Sequence, residues 1–131
     1  MRILVVDDDA AQRQMLGAVL SAARHRVTAV GNAAAARAAV VDGCDIALVD
    51  VSLDGDDGLV LAAALAGLSP GLGVIASTGH SRPARLPAGV DAWLEKPYSI
   101  GELMTTVAAV ASRLQRLAVD DQDRTGRIDR P

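Results

Sequence analysis

Ile3-Leu4-Val5-Val6-Asp7-Asp8 carries four apolar residues straight into two carboxylates. The design recurs along the chain. Ile46-Ala47-Leu48-Val49 ends in Asp50, Gly73-Val74-Ile75-Ala76-Ser77 ends in Thr78, and Ala92-Trp93-Leu94 ends in Glu95-Lys96-Pro97. Runs rich in Val, Ile and Leu without polar alternation are what strands look like when a parallel sheet is covered on both faces by helices. Parallel strands gather their C-terminal ends along one edge, and ligands bind there. Three carboxylates, a hydroxyl and an ammonium are therefore expected to converge, which outlines a magnesium and phosphoryl site.

Between these runs lie helix-like stretches. Residues 10–23 place Met15, Leu16, Val19 and Leu20 at three- and four-residue spacings. Arg26–Val30 reads as a further strand. Asn32 is a good N-cap for the Ala-rich stretch through Val41, with Gly43 closing it. Gly58–Ala66 reads as a helix, and Ser99 with Glu102 makes a capping box opening a helix to about Leu117. Alternation of strand and helix implies an α/β fold with a doubly wound parallel sheet of five strands. The single domain is expected over 1–117. Residues 118–131, rich in Asp and Arg, read as a flexible tail or the start of a linker.

Composition narrows the function. Phe is absent, and Trp93 and Tyr98 are the only aromatics, so the core rests on aliphatic side chains. A net charge of -3 and two aromatics offer neither a basic face nor a stacking platform, which argues against nucleic acid as a partner of this chain. A lone cysteine, Cys44, excludes an internal disulfide and fits a reducing compartment. No apolar run reaches the roughly 18 residues of a membrane span. A cytoplasmic protein without membrane contact is expected.

Taken together, Val5-Val6-Asp7-Asp8, Leu48-Val49-Asp50 with Asp57-Gly58, Ser77-Thr78-Gly79 and Lys96-Pro97 make the chain similar to the receiver domains of bacterial two-component response regulators. The resemblance covers about residues 2–117 and is closest in type to chemotaxis regulators. It implies a flavodoxin-like (βα)5 fold with strand order 2-1-3-4-5. It also implies that Asp50 is the phosphoacceptor in a His-Asp phosphorelay, fed by a sensor histidine kinase or a histidine phosphotransfer protein. Mg2+ would be held by Asp8, Asp50 and the backbone carbonyl of Ser52, with Asp7 acting through a water. Neighbouring carboxylates raise one another's pKa, and a hard cation resolves that conflict. Lys96 and Thr78 would contact the phosphoryl oxygens, since phosphoryl transfer relies on positioning and charge. Gly79, His80 and Ser52 would flank the group. Thr78 and Trp93 would form the switch toward a downstream protein, Trp93 standing where receivers usually carry Tyr or Phe. It also reads as a half-buried edge-strand aromatic. Pro97 would follow a cis bond. Asp9 reads as a cap of the first helix, His80 equally as a loop residue, and His25 and Cys44 carry no functional signal.

The chain departs from the pattern in one stretch. Thr78 and Lys96 are 18 positions apart, about one helical turn less than such domains usually have. Pro83 and Pro87 fall in the interval, and proline inside a helix costs about 3 kcal/mol. The fourth helix is expected to be shortened and the usual dimer face altered. A stand-alone receiver, catalysing only its own phosphorylation and dephosphorylation, is the leading expectation. The initiator Met beside the first strand favours a natural N-terminus. Three other readings stay open: the receiver portion of a larger regulator with an output domain, a phosphatase of the haloacid-dehalogenase type using Asp7 and Asp9, and a non-phosphorylated interaction module.

Overall fold

Each apolar run becomes a strand, buried throughout in the first three and partly in Ala92-Trp93-Leu94, and the helices cover both sides of the sheet they form. The computed structural model describes residues 1–128, with side chains through Asp120. Among the described residues the order is β1 (Arg2–Val6), α1 (Ala10–Ala22), β2 (Arg26–Val30), α2 (Ala33–Asp42), β3 (Ile46–Asp50), β4 (Ser52–Leu53), β5 (Asp56–Asp57), α3 (Gly58–Leu68), β6 (Gly73–Thr78), β7 (Ala92–Glu95) and α4 (Ile100–Ile128). The main sheet is parallel with order β2-β1-β3-β6-β7, the doubly wound arrangement expected. β4 and β5 form a small antiparallel hairpin beyond β3.

The strands' two-residue period divides the core into two layers. Ile3, Val5, Ile46, Leu48, Ile75 and Leu94 pack with Leu16 and Leu20 of α1 and with Leu103, Val107 and Val110 of α4. Leu4, Val6, Ala47, Val49, Val74 and Ala76 pack with Ala36 and Val40 of α2 and with Leu61, Ala62 and Leu65 of α3. Continued to the C-terminal strand ends, the alternation puts Asp7, Asp50 and Ser77 on the α1/α4 face. Asp8 and Thr78 fall on the α2/α3 face.

The helix starts follow their caps. Asp9 accepts from the amides of Ala11 and Gln12, Asn32 from Ala35, and Asp57 from Leu59 and Val60. Ser99 and Glu102 exchange the two hydrogen bonds of a capping box.

Two sequence expectations need correction. The crossover between β6 and β7 contains no helix at all: residues 79–91 run as bends, one turn and irregular chain. Arg82 and Leu86 each precede a proline, which disfavours the α region, and Gly89 sits at φ 79°. Buried Val90 and half-buried Leu86 nevertheless cover the α3 layer in the missing helix's place. A Cβ at Gly89 would lie 2.9 Å from the Ala63 Cα, so the loop lies directly on α3. The second correction concerns the C-terminal stretch. Instead of ending near Leu117, α4 continues to Ile128, although among its described side chains the last fully buried one is Val110 and Leu117 is 58% exposed. The segment expected as a flexible tail or the start of a linker is helical from Ala118 to Ile128, and residues 129–131 lie outside the described part. No described helix is long and apolar enough to cross a membrane.

Candidate functional site

At the C-terminal edge of the sheet Asp7, Asp8 and Asp50 each place one carboxylate oxygen within 4.8 Å of the others. β1 delivers the first two and β3 the third, and these strands are direct neighbours in the sheet. The carboxylates are held in orientation by backbone amides. Asp7 Oδ1 accepts from Asp9 N at 2.9 Å, Asp8 Oδ2 from Asp54 N at 2.7 Å, and Asp50 Oδ1 from Ser52 N at 2.9 Å. Each side chain thereby keeps an oxygen free of backbone contacts, while charge-assisted bonds fix its plane. The β4–β5 hairpin matters here, because its turn supplies the Asp54 amide.

Lys96 reaches this cluster from the end of β7. Its Nζ lies 3.2 Å from Asp50 Oδ2 across the end of β6. The Lys96–Pro97 bond is cis, and Lys96 N donates to Thr78 O at 2.7 Å. Arg13, a residue the sequence reading passed over, braces the acidic loop by donating to the Asp7 carbonyl at 2.7 Å. The resulting cleft, about 270 Å³, is lined by Asp7, Asp8, Asp9, Gln12, Asp50 and Lys96.

The electrostatics fit a cation. Burial, Asp50 and Asp8 push the Asp7 carboxyl above its ordinary range, against the Asp9 amide and Lys96. Lys96 alone does not balance three carboxylates. An all-oxygen set of this kind suits a hard divalent ion that keeps part of its water shell, as Mg2+ does. The sign of the Asp7 shift gives a test. A carboxyl raised in the folded state favours folding below the ordinary carboxylate pKa and loses that advantage as pH rises through the raised value. Mg2+ bound at the cluster would compete with that proton. Its stabilisation against heat should therefore shrink as pH falls through the raised Asp7 range and reach several degrees at neutral pH. Equal Mg2+ increments at neutral and acidic pH would exclude this coupling.

Thr78 is buried at the end of β6, and its Oγ1 accepts from His80 N at 3.1 Å. Trp93 Nε1 donates to the His80 carbonyl at 3.0 Å, with the half-buried indole packed against the α2/α3 layer. Thr78 and Trp93 thus hold the backbone of His80 from two sides, while its side chain is exposed. The structure brings Asp7, Asp8, Asp50 and Lys96 together directly. Ser52 meets the group through its amide, and Gly79 is exposed. Asp9 caps α1 through Oδ1 and stands outside the cluster of Asp7, Asp8 and Asp50.

The chain matches the model of the response regulator receiver domain over residues 3–108. It is similar to the transcriptional regulatory protein AruR of Pseudomonas aeruginosa, 32% identical over 124 residues, covering 87% of this chain and 50% of that protein. With the response regulator MprA of Mycobacterium leprae it shares 33% over 126 residues, covering 92% and 54%. The chain thus spans about half the length of these curated relatives. Among solved structures it is similar to a CheY-like receiver domain protein of Methanospirillum hungatei, with TM-score 0.81, 27% identity and coverage of 88% and 96%. It also resembles the response regulator TrrA of Thermotoga maritima, solved in complex with Mg2+ and BeF, with TM-score 0.75, 25% identity and coverage of 83% and 97%.

Proposed function

The chain belongs to the response regulator receiver family, and from that premise we propose that Asp50 is its phosphoacceptor in a two-component relay. Receiver domains of response regulators interact with histidine kinases and with downstream targets. Here the donor is a phosphohistidine of a sensor histidine kinase or of a histidine phosphotransfer protein. The observation that supports this reading is the Asp50 carboxylate itself, 6% exposed, beside two further carboxylates and 3.2 Å from an ammonium.

Asp50 attacks through a carboxylate lone pair. A phosphorus–oxygen bond forms as the phosphorus–nitrogen bond breaks, and its electron pair returns to the imidazole. No proton has to leave Asp50. The product is an acyl phosphate, a form of covalent catalysis open to carboxylates. Asp7, Asp8, Asp50 and the Ser52 carbonyl would hold Mg2+, Asp7 through a water. Bound there, the ion supplies positive charge and a template for the phosphoryl oxygens. Lys96 follows the charge from Asp50 to the phosphoryl group. The Thr78 hydroxyl, which now only accepts, has its proton free to donate to a phosphoryl oxygen. Ser52, Gly79 and His80 border the group.

Thr78 and Trp93 form the output switch. Moving the Thr78 hydroxyl toward the phosphoryl group releases the His80 amide, and the loop that Trp93 grips is freed with it. The domain boundary near Leu117, the cytoplasmic site and an output segment beyond this chain belong to the same proposal, since relatives about twice as long support a larger regulator.

Incubating the protein with Mg2+ and a small acyl-phosphate donor tests the core of this reading. One phosphate, stable to acid and labile to base, should appear by intact mass and map to the peptide carrying Asp50. A chelator should suppress it, and Trp93 fluorescence should change in step. Uptake elsewhere, or at the same rate with chelator, overturns the assignment.

A further inference from the structure

Ser77 is 3% exposed, and its Oγ has no hydrogen-bond partner among the described residues. Buried hydroxyls are usually satisfied, so an orphan beside a reacting group needs a physical account. In the sheet register Ser77 pairs with Asp50 on one side and with Leu94 on the other. Register partners of a parallel sheet present their side chains on one face. Ile75, two residues earlier, packs in the α1/α4 layer, which places Ser77 on the face of the Asp50 carboxylate. Thr78 points to the opposite face. The Lys96 side chain starts beyond β7 and ends on Asp50 at the tip of β3, so it crosses β6 where Ser77 lies.

We propose that Ser77 is a positioning residue for Lys96, its Oγ accepting one N–H of the ammonium once Asp50 has ceased to be an anion. The inference rests on Asp50 being the phosphoacceptor. An ammonium carries three donors, and in the resting protein Asp50 Oδ2 accepts one of them. When an Asp50 oxygen bonds to phosphorus, the donor's bond to phosphorus breaks with its electron pair leaving on the donor. Asp50 then carries no charge of its own, and the nearest negative charge is that of the phosphoryl oxygens brought by the transferred group. Lys96, whose side chain is 34% exposed, could follow that charge outward into water. Ser77 gives it a second acceptor over β6, which keeps the ammonium against the transferring group and leaves all its protons in place. The hydroxyl is unpaired in the resting state because its partner arrives only during transfer.

The test compares Ser77→Ala, Ser77→Thr and Lys96→Met, alone and combined, in phosphorylation by a small acyl-phosphate donor with saturating Mg2+. Ser77→Ala should be roughly tenfold slower, the worth of one hydrogen bond to a charged group, with an unchanged half-saturating Mg2+ concentration. Its melting temperature should equal or exceed that of the parent, because an unpaired buried hydroxyl has gone. Ser77→Thr retains the hydroxyl and should restore the rate. In the Lys96→Met background, Ser77→Ala should cause no further slowing. A parental rate in Ser77→Ala overturns the proposal. So does the same added slowing in the Lys96→Met background, a folded Ser77→Thr as slow as Ser77→Ala, or a slow Ser77→Ala that also melts lower. Failure of the parent protein to take up phosphate at Asp50 would instead sink the phosphoacceptor assignment.

Discussion

Asp50→Asn is expected to fold, to melt higher than the parent without metal, and to take up no phosphate. The amide keeps the shape of the carboxylate, and its oxygen can still accept from Ser52 N. It lacks the anionic lone pair that attacks phosphorus, so the rate should fall by about three orders of magnitude or more, the scale of removing a covalent nucleophile. Stability moves the other way, and magnitudes decide it. The Lys96–Asp50 pair is lost, but Lys96 is 34% exposed and such pairs contribute about 1 kcal/mol or less. Asp7 and Asp8 hold oxygens within 4.8 Å of Asp50. Asp8 is exposed, so its repulsion is screened as the Lys96 pair is, but Asp7 is buried, and at an effective dielectric of about 20 its repulsion at that separation costs about 3 kcal/mol. Relief of repulsion wins. The variant should also lose most of the Mg2+-dependent rise in melting temperature. Thermal unfolding with and without Mg2+, alongside intact-mass phosphorylation, checks all three expectations. Phosphate uptake at the parental rate would remove Asp50 from the chemistry.

How far the sequence revealed this arrangement depended on what each signal physically reports. Unalternated apolar runs report burial on both faces, so the strands and their carboxylate-bearing ends were legible. Strand order came from the family resemblance, because pairing between distant runs leaves no local trace. Apolar periodicity also reports burial rather than helicity, which is why α4 was expected to end near Leu117. Its apolar stripe leaves the core after Leu114, yet a formed helix propagates through residues 118–125, which contain neither Gly nor Pro. The prolines at 83 and 87 signalled a weakened fourth helix. Its complete absence follows once Gly89 and the residues preceding each proline act together in so short a crossover. The β4–β5 hairpin, two residues a side, is too small to show a period at all, although its turn orients Asp8 through Asp54 N. Ser77 was invisible for another reason. A serine at the end of an apolar run looks unremarkable until the register sets it beside Asp50 and shows its hydroxyl unpaired.

Gly58→Ala should be the most damaging single methyl added to this protein. Gly58 opens α3 directly after its cap, Asp57, and its amide donates to Val51 O at 3.0 Å. A Cβ there would lie 2.2 Å from the Asp50 carbonyl oxygen, 2.5 Å from the Val51 Cα and 2.8 Å from the Val51 oxygen. All three are backbone atoms, so no side chain can swing aside. Either α3 lifts from the sheet, opening the layer of Leu61, Ala62 and Leu65, or the chain at Asp50–Val51 shifts and takes the nucleophile with it. Overpacking a core usually costs 1–3 kcal/mol, and a clash against backbone belongs at about 3 kcal/mol or above. Against a total stability of about 5–15 kcal/mol, that lowers the melting temperature by roughly 10 °C or more. Gly17→Ala supplies the contrast. Gly17 lies inside α1 with nothing within 4 Å of its would-be Cβ, so the same methyl there should stabilise by up to about 1 kcal/mol. Urea unfolding of the two variants should therefore give shifts of opposite sign. The phosphorylation rate should fall only in Gly58→Ala, because the added methyl bears on the peptide that carries Asp50. Equal stability of Gly58→Ala and the parent would mean that α3 can move away without cost, and that the closeness of its first turn to β3 does not fix the nucleophile.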